Sequence, residues 1–547
     1  MLKVVEINPA NISDDELAAV VAALAVVTEP QAAEESARKP QSGWKRAALL
    51  EGAGIQPRIR SIDQLVTLSV AFVIALATSL PVRAQPLNTS DVMPPPAPAR
   101  NAPVSLIAGS RPLLPGSPST VVQPIAPVGF SAAAQPVAPT VTGGALRIRV
   151  ALQLDAAQSS IALPDGGVIR DATTGDTIAE LPAQSLWRIT SDAPGGFSRL
   201  CFDGTLFNAA NSDTKLAIAD RAYKPVAFYA NGATVPQELR SLPPSAPPRF
   251  ALPTQSRSYA IVPSTADGTV AVAGKLFRGA LLLQPNLKSK TNGFDVINNL
   301  ELEDYLLSVV PSEMPSGWPL EALKAQAIAA RSYAIANLSK HGNDGYDMKA
   351  TVEDQAYAGV SAEHAESTQA VQETRGLVLE YDGKPISAFF HSSSGGYTEL
   401  AQNVWSRPVP YLKAVPDYDD AAPNFSWTRS LNVGAAEQAL AKSGKDVGAL
   451  LTLTPVMRGV SPRVRYLMAS GTNGTFFISG EEARKLFSLP STVFNVGGAP
   501  DSYVFAGRGY GHGLGMSQWG AKRLAEAGWA APDILSYYYK DVTVNQF

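Results

Sequence analysis

The sequence has almost no cysteine, the residue that disulfide-stabilised folds and thiolate metal centres need. Its 547 residues include one cysteine, Cys201, which excludes an internal disulfide and a metal site built from several thiolates. We predict that Cys201 is a small buried apolar residue rather than a reactive thiol. Charged residues make up 17% of the chain and the net charge is −3, so bulk charge attracts neither nucleic acid nor an anionic membrane. We therefore expect no nucleic-acid partner.

Histidine is also scarce, since the chain has four. Two of them, His391 and His512, would suffice with a carboxylate to bind zinc, but they stand far apart in the sequence. No HExxH pair is present to bring two ligands onto one helix face. The serines after His391 lack the GxSxG elbow that serine hydrolases use. We expect no metal ion and no other cofactor.

One apolar run, Leu65–Leu80, has the form of an export signal and is rather short for a stable membrane span. Two arginines precede the run, and the sequence PVRA after it fits a small-x-small cleavage site. We predict a signal peptide or membrane anchor over residues 61–84 and an extracytoplasmic location, either secreted or membrane-anchored. Residues 1–60 would be a short N-terminal head, either in front of an uncleaved anchor or absent from the mature protein.

The stretch from residue 85 to residue 143 contains thirteen prolines among alanine, serine and valine. Such a composition cannot bury enough apolar surface to fold, and it is typical of an extended, partly polyproline linker. We predict a disordered tether that gives the folded part of the chain reach.

The remaining sequence predicts an α+β fold with a β-rich half and a mixed core. Residues 144–285 begin with the alternating run LRIRVALQL and continue as short strand-like segments separated by Asp-Gly and Gly-Gly turns. Residues 286–547 combine helical periodicity with further strands, and we expect the active site there. No regular βαβ alternation and no internal repeat is present.

The core opens with EDYLLSVVPSEMPSGWPLEALKAQAIAARSYAIAN, from Glu303 to Asn337. A short apolar helix is predicted to end at Pro311, and an alanine-rich helix to begin at Pro319. Glu313 would then lie in a proline-bounded turn between the two helices. A rigidly held single acid of this kind is either a working carboxylate or an ordinary helix cap.

Two glycine-containing motifs lie further along the core. In GRGYGHGLGMSQWGA, glycine occupies every second position from Gly507 to Gly515. If this stretch is extended, one face carries no side chains, which permits close approach of a flat ligand such as a sugar or of another backbone. The alternative is tight strand packing in a core. The second motif, HSSSGGYTE, begins at His391 and gathers hydroxyl groups around two glycines.

Four motifs, taken in order, resemble the SpoIID/LytB family, which comprises the sporulation protein SpoIID and the amidase enhancer LytB. They are EDYLLSVVPSEMPSGWPLEALKAQAIAARSYA, FFHSSSGGYTE, PYLKAVPDYD and GRGYGHGLGMSQWGAKRLAEAG. Together with the β-rich lead-in, the resemblance covers roughly residues 145–547. Some family members bind zinc through cysteines beside the histidine of the second motif. Serines occupy those places here, which puts that metal site in doubt.

The resemblance implies work on peptidoglycan, with glycan strands as the partner. SpoIID is a lytic transglycosylase, and its essential glutamate matches Glu313. Such an enzyme needs one carboxylate, because the C6 hydroxyl of N-acetylmuramic acid is the nucleophile and a 1,6-anhydro product forms. The apolar setting of Met314, Pro315 and Trp318 is predicted to raise the pKa of Glu313. The alternative is a non-catalytic enhancer that binds peptidoglycan and activates a cell-wall amidase. A third possibility is a structural, wall-tethered protein.

Arg331 matches the arginine of the family's AxAARSYA helix. A cation that touched Glu313 would favour the charged carboxylate, so we predict that Arg331 contacts sugar, shapes the pocket or pairs with a structural acid such as Glu303. The remaining predicted substrate contacts carry hydroxyl or ring groups and come from the two glycine-containing motifs: Ser392, Ser393, Tyr397, Tyr510 and His512.

Overall fold

The computed structural model describes residues 94–95, 97–98, 145–191, 200–208, 217–219, 225–228, 240–241, 249–251, 258–286, 288–289, 293–423, 425–499 and 501–547. The predicted head, the apolar run Leu65–Leu80 and most of the proline-rich linker lie outside these residues, as does the side chain of Cys201. Within the described part of the chain, no helix combines the length and apolarity that a membrane crossing requires.

The α+β prediction is confirmed, since the described residues are 25% helix and 38% strand, with a strand-rich region at 147–285 ahead of a mixed core. The chain divides into two compact units. The larger unit comprises residues 94–390, 410–413 and 515–547, and the smaller unit comprises residues 391–409 and 414–514. Each unit is described by itself.

Two seven-stranded sheets form the β-rich half of the larger unit. The first runs in the order Met348–Lys349, Arg147–Ala156, Phe294–Glu301, Ala280–Pro285, Tyr259–Pro263, Gly167–Asp171 and Thr177–Leu181. The second runs in the order Arg249–Ala251, Leu200–Asn208, Ser185–Ser191, Gln158–Leu163, Thr269–Val272 and Lys275–Arg278, with Arg240–Ser241 beside Leu200–Asn208. A separate pair joins Ala217–Ala219 and Pro225–Phe228.

The first strand, Arg147–Ala156, shows why the alternating sequence folds as it does. It pairs antiparallel with Phe294–Glu301, and Ile148 and Val150 are fully buried in the core between the layers. Arg149 lies between them in sequence but is also buried, because its guanidinium forms an ion pair with Asp347 at 2.9 Å. Both faces of the strand are therefore buried. The alternation of apolar and polar residues distinguishes the chemistry of the two faces and does not mark either of them as exposed to solvent.

The helical part of the larger unit surrounds one alanine-rich helix, Leu320–Ala336. Its buried residues lie on every face, which is typical of a central helix whose small side chains let neighbours approach. It packs against the Glu313 helix (Leu302–Glu313), the strand Leu377–Tyr381 and three further helices, which are Ala365–Glu373, Gln518–Glu526 and Ala531–Tyr538. Leu377–Tyr381 lies in a small sheet between Lys384–Pro385 and Thr543–Gln546. Single turns of 3₁₀ helix occur at Gly342–Asp344 and Val360–Ala362, and short strands at Phe390–His391 and Met516–Ser517.

The smaller unit contains two three-stranded antiparallel sheets and its own core. One sheet runs in the order Ser426–Asn432, Ser502–Arg508 and Val493–Ala499, and the other in the order Leu450–Arg458, Val464–Gly471 and Gly474–Ser479. The helices Ala401–Trp405, Val433–Lys442 and Gly480–Leu486 complete it. Leu440, Leu467 and Phe505 belong to one buried cluster that joins the sheets to the longer helices.

Candidate active site

Glu313 is the last residue of the Glu313 helix, not part of a turn. The predicted end of this helix at Pro311 is wrong, because the helix continues through Pro311 to Glu313. A proline in the last turn removes one hydrogen bond, and burial of Val309 and Val310 in the core holds the backbone helical around it. The backbone of Glu313 is consequently held in the last turn of a helix, a position that local sequence rules did not predict.

The Glu313 carboxylate lies half-buried and is harder to ionise than usual. Burial raises its pKa, and the hydrogen bond that Oε1 accepts from the backbone N–H of Ala356 at 2.6 Å lowers the pKa by less. The C-terminal end of a helix carries partial negative charge, which also disfavours a second negative charge there. Among the described residues, no other group donates a hydrogen bond to this carboxylate. A carboxyl group of this kind keeps its proton to a higher pH than an ordinary glutamate does, which suits a general acid.

Side chains of the Glu313 helix help to hold the loop that carries the Ala356 N–H. The adjacent side chain of Gln355 is fully buried, accepts a hydrogen bond from the Tyr305 hydroxyl at 3.1 Å and donates one to the Ala330 carbonyl at 3.2 Å. Two residues further along, the Ser308 hydroxyl accepts hydrogen bonds from the N–H groups of residues 358 and 359. The donor to Glu313 is therefore part of a fixed loop.

Gln518 secures the end of the Glu313 helix from the C-terminal part of the chain. Its Nε2 donates to the carbonyl of Glu313 at 3.0 Å and to Gln326 Oε1 at 3.3 Å. The last carbonyls of a helix have no partner within the helix, so this side chain supplies one. Gln518 lies in the motif GRGYGHGLGMSQWGA, but its role could not be predicted from the sequence because its partner is a carbonyl 205 residues away.

An aromatic pair, Trp318 and Trp519, adjoins these residues in sequence. The two rings contact edge to face with centroids 4.7 Å apart. The ammonium group of Lys522 lies 5.7 Å from the Trp318 ring and 5.1 Å from the Trp519 ring. Both tryptophans are partly exposed. Indole faces of this kind stack well on sugar rings, and Trp519 directly follows Gln518, which holds the end of the Glu313 helix.

The Arg331 side chain is buried and forms an ion pair. It is 1% exposed and makes a bidentate ion pair with Glu303, with both N–O distances at 2.8 Å. Its Nη1 also donates to the Leu377 carbonyl at 3.1 Å. Of the predicted roles, the geometry matches the structural pair with Glu303. Arg331 makes no contact with Glu313, as the sequence argument required.

The two histidines singled out in the sequence lie side by side in the smaller unit, with ring centroids 5.4 Å apart. His391 is buried, its Nδ1 contacts the Leu514 carbonyl at 3.1 Å, and its Nε2 has no partner within the described chain. Burial first, and then the neighbouring His512 and Arg463, hold the pKa of His391 well below its usual range. His512 Nδ1 accepts a hydrogen bond from the Leu514 N–H, and its ring contacts Trp405.

The serine turn after His391 is held from within. The Ser393 and Ser394 hydroxyls donate to the buried carboxylates of Asp419 and Asp417, and Asp419 also accepts from the N–H groups of Gly395 and Gly396. These aspartates come from the PYLKAVPDYD motif, so the second and third motifs form one structural element. Ser393 is fully buried, which leaves its predicted substrate contact without an accessible hydroxyl.

The other predicted contacts of the smaller unit are more accessible. Ser392, Tyr397 and His512 are partly exposed, and Tyr510 is 48% exposed. Ser393 and Tyr510 exchange backbone hydrogen bonds, which brings the serine turn and the glycine stretch together. Their role in binding a substrate stays a prediction.

The glycine stretch is not an extended strand with an empty face, because the strand Ser502–Arg508 ends before most of it. Gly509, Gly511, Gly513 and Gly515 have φ of +78°, +115°, +80° and +67°, values that L side chains rarely adopt. A Cβ on Gly509 would lie 2.7 Å from the Gly395 N atom. The glycines therefore serve positive φ and close backbone approach, which is the packing alternative.

We expect Gly509→Ala to destabilise the protein by at least about 1–3 kcal/mol, since it adds backbone strain and a contact with immovable backbone atoms. Gly498→Ala is the matched control, because it lies in an extended strand with nothing within 4 Å of an added Cβ. Urea unfolding of the two variants measures the difference. Equal stability of both would contradict this explanation of the glycine pattern.

The residues around His391 do not fit the zinc site that some family members have. Serines replace the cysteines, and the hydroxyls of Ser393 and Ser394 are committed to Asp419 and Asp417. Among the described residues, no group of three or more histidine, cysteine, aspartate and glutamate side chains is arranged to hold a metal ion.

Comparison with known proteins identifies the family to which the chain belongs. The family model described as "Stage II sporulation protein" (SpoIID) matches residues 290–381, which contain Glu313 and Arg331. A model of a domain of unknown function matches residues 411–515.

Three curated proteins are similar over longer stretches. Stage II sporulation protein D of Bacillus amyloliquefaciens is 32% identical over 349 residues, which cover 59% of this chain and 96% of that protein. An uncharacterized protein of Brachyspira hyodysenteriae is 32% identical over 52% of this chain and 77% of its own length. The amidase enhancer of Bacillus subtilis is 34% identical over 44% of this chain and 40% of its own length. Since the match spans almost all of a relative at this identity, the chain belongs to the stage II sporulation protein D (SpoIID) family.

Proposed function

We propose that this protein is an exported lytic transglycosylase that cleaves the glycan strands of peptidoglycan, with Glu313 as its single acid and base. The observation that carries the proposal is the setting of Glu313. It is a half-buried carboxylate with a raised pKa, oriented by one backbone N–H, and it lies inside the region that matches the SpoIID family.

The chemistry needs one group that first gives and then takes a proton. Protonated Glu313 donates its proton to the glycosidic oxygen as the bond from that oxygen to C1 of N-acetylmuramic acid breaks. The C6 hydroxyl of the same sugar attacks C1, and the Glu313 carboxylate takes the hydroxyl proton as the 1,6-anhydro ring closes. No water is consumed, so no second carboxylate is required.

The surroundings of Glu313 suit this cycle. The Ala356 N–H stabilises the carboxylate after it has given up its proton, while burial keeps the neutral acid favoured beforehand. The aromatic pair supplies indole faces on which sugar rings stack through their C–H groups. The intramolecular attack then gains from proximity, because nucleophile and reacting carbon belong to one ring.

A second candidate function has its own support, since one relative is named an amidase enhancer. In that case the protein binds peptidoglycan and stimulates a cell-wall amidase without cutting glycan. The exposed Tyr510 and the partly exposed Tyr397 and His512 of the smaller unit are compatible with a binding role. The two functions differ in whether a covalent bond of the glycan strand is broken.

Mass spectrometry of digested glycan strands, with and without peptide stems, tests the proposal. The reaction is run in ¹⁸O-labelled water. We expect 1,6-anhydro ends that carry no ¹⁸O, because the nucleophile belongs to the sugar. Labelled reducing ends would indicate hydrolysis instead. If neither product forms on either substrate while an added amidase is stimulated, the enhancer function replaces the proposed one.

We expect the rate of cleavage to fall as pH rises through the pKa of Glu313, because only the protonated form can donate to the leaving oxygen. The midpoint of this alkaline limb should lie above the ordinary value of 4.5, since burial raises the pKa. The pH profile of kcat/KM and a ¹³C titration of the carboxyl carbon, assigned with Glu313→Gln, measure it independently. A midpoint at or below the ordinary value would contradict the general-acid role.

A further inference from the structure

A short piece of the proline-rich linker lies against the larger unit. The indole Nε1 of Trp529 donates a hydrogen bond to the carbonyl of Pro95 at 2.9 Å. Two residues along the linker, the Cβ of Ala97 lies 4.0 Å from the position of a Cβ built on Gly528. The contact joins residues more than four hundred positions apart, and both partners belong to the larger unit.

The burial of the linker residues has the period of a polyproline II helix. Pro94 is buried and Ala97 is partly buried, whereas Pro95 and Pro98 are exposed. Positions three apart therefore share an environment, and a polyproline II helix has three residues per turn. One edge of the segment faces the protein and the next edge faces solvent.

The surface that receives this segment is aromatic and rigid. Trp529 follows the helix Gln518–Glu526, its backbone N–H bonds to the Leu524 carbonyl at 3.0 Å, and its side chain is 8% exposed. Its ring packs edge to face on Tyr537 with centroids 5.8 Å apart. Gly528 precedes the indole with φ of +85° and offers no side chain to block approach.

These features match the recognition of polyproline II segments. Such a helix makes no internal hydrogen bonds, so its carbonyls are available to an indole N–H, and its proline rings pack on aromatic faces at low entropic cost. We infer that Gly528, Trp529 and Tyr537 form an intramolecular docking surface for polyproline II, and that its occupant is the linker around Pro95 and Ala97.

Docking changes what the linker can do. If the chain is anchored through its predicted export segment, nine residues (85–93) separate the end of that segment from the docking point. Fully extended, nine residues span at most about 30 Å, whereas the undivided linker of 85–143 spans about 200 Å. The surface around Trp529 is then held close to the anchor. The docking itself depends neither on the export segment nor on the proposed enzymatic activity.

Indole ¹H–¹⁵N spectra of the full chain, labelled at its seven tryptophans, test the inference. Trp529→Phe assigns the resonance, since it removes the N–H and keeps an aromatic ring. Residues 94–98, which contain four prolines, are replaced by a glycine-serine sequence of equal length. As the control, residues 123–127, which contain two prolines of the same linker, receive the same replacement.

We expect the Trp529 resonance to move when residues 94–98 are replaced and to stay in place in the control. A synthetic peptide of residues 91–99 should return it to the wild-type position in the replaced variant. The inference fails if the resonance is indifferent to residues 94–98, or if the control moves it equally. It also fails if an unrelated proline-rich peptide displaces the native segment from the wild-type protein. Cleavage assays on the same variants keep this test separate from that of Glu313.

Discussion

Replacing Glu313 with glutamine is expected to abolish glycan cleavage while leaving the fold intact. General acid–base catalysis typically contributes about 10²–10⁴-fold to a rate, so kcat on glycan strands should fall by at least that factor. Glutamine keeps the shape of the side chain and an oxygen that accepts from the Ala356 N–H. It cannot donate a proton of suitable acidity. KM should change little, because the sugar contacts are unaltered.

The stability of Glu313→Gln should not fall together with its activity. A group whose pKa is raised by folding contributes stability at low pH, and this contribution is lost as pH rises through the folded pKa. At pH values above the ordinary glutamate pKa, Glu313 therefore lowers the stability of the folded state. Glutamine removes this effect, so Glu313→Gln should be at least as stable as the wild type at pH 7, with the advantage disappearing under acidic conditions. Functional groups often carry such a cost.

Glu303→Gln is the matched control, since it makes the same substitution in the same helix. That variant should lose stability, because the carboxylate of Glu303 balances a buried guanidinium. Product analysis and urea unfolding of the two variants therefore separate chemistry from structure. Full glycan cleavage by Glu313→Gln would end the enzymatic proposal, and unchanged amidase stimulation by that variant would favour the enhancer function.

The sequence predicted the fold class because strands and helices depend on patterns that are local, whereas the catalytic role of Glu313 stays a proposal. Alternating apolar residues near Leu146 formed strands, and alanine spacing after Pro319 formed a helix. The end of the Glu313 helix was missed because the rule that proline stops a helix is local too. Tertiary burial of Val309 and Val310 overrides that rule, and no local pattern reports it.

The arrangement around the site depends on contacts between distant positions. Gln518 reaches a carbonyl 205 residues earlier in the chain, and the linker reaches Trp529 across 434 residues. Neither contact leaves a periodic pattern in the sequence from which it could be predicted. The glycine stretch was recognised as a place of close approach, but its conformation was not, because alternation in a sequence fits an extended strand as well as a series of positive φ angles.

Replacing Arg331 with methionine is expected to cost about 3–5 kcal/mol of stability, because it leaves the carboxylate of Glu303 without its partner in a largely buried site. The same guanidinium donates to the carbonyls of Val371 and Leu377, so it also ties the helix Ala365–Glu373 and the strand Leu377–Tyr381 to the alanine-rich helix. Urea unfolding measures the loss. Lys349→Met is the control, since the Lys349–Glu353 pair is largely exposed and exposed pairs contribute about 0.2–1 kcal/mol.

The double replacement of Arg331 and Glu303 by methionine decides between two of the roles predicted for the arginine. A purely structural ion pair can be exchanged for apolar side chains at little net cost, because the desolvation of both charges is removed together. We therefore expect the double variant to recover most of the stability lost in the single one and to retain glycan cleavage with an unchanged KM. If Arg331 instead bound sugar, KM would rise in the single and double variants alike. Recovery of stability without recovery of KM would then assign the arginine to the substrate despite its burial.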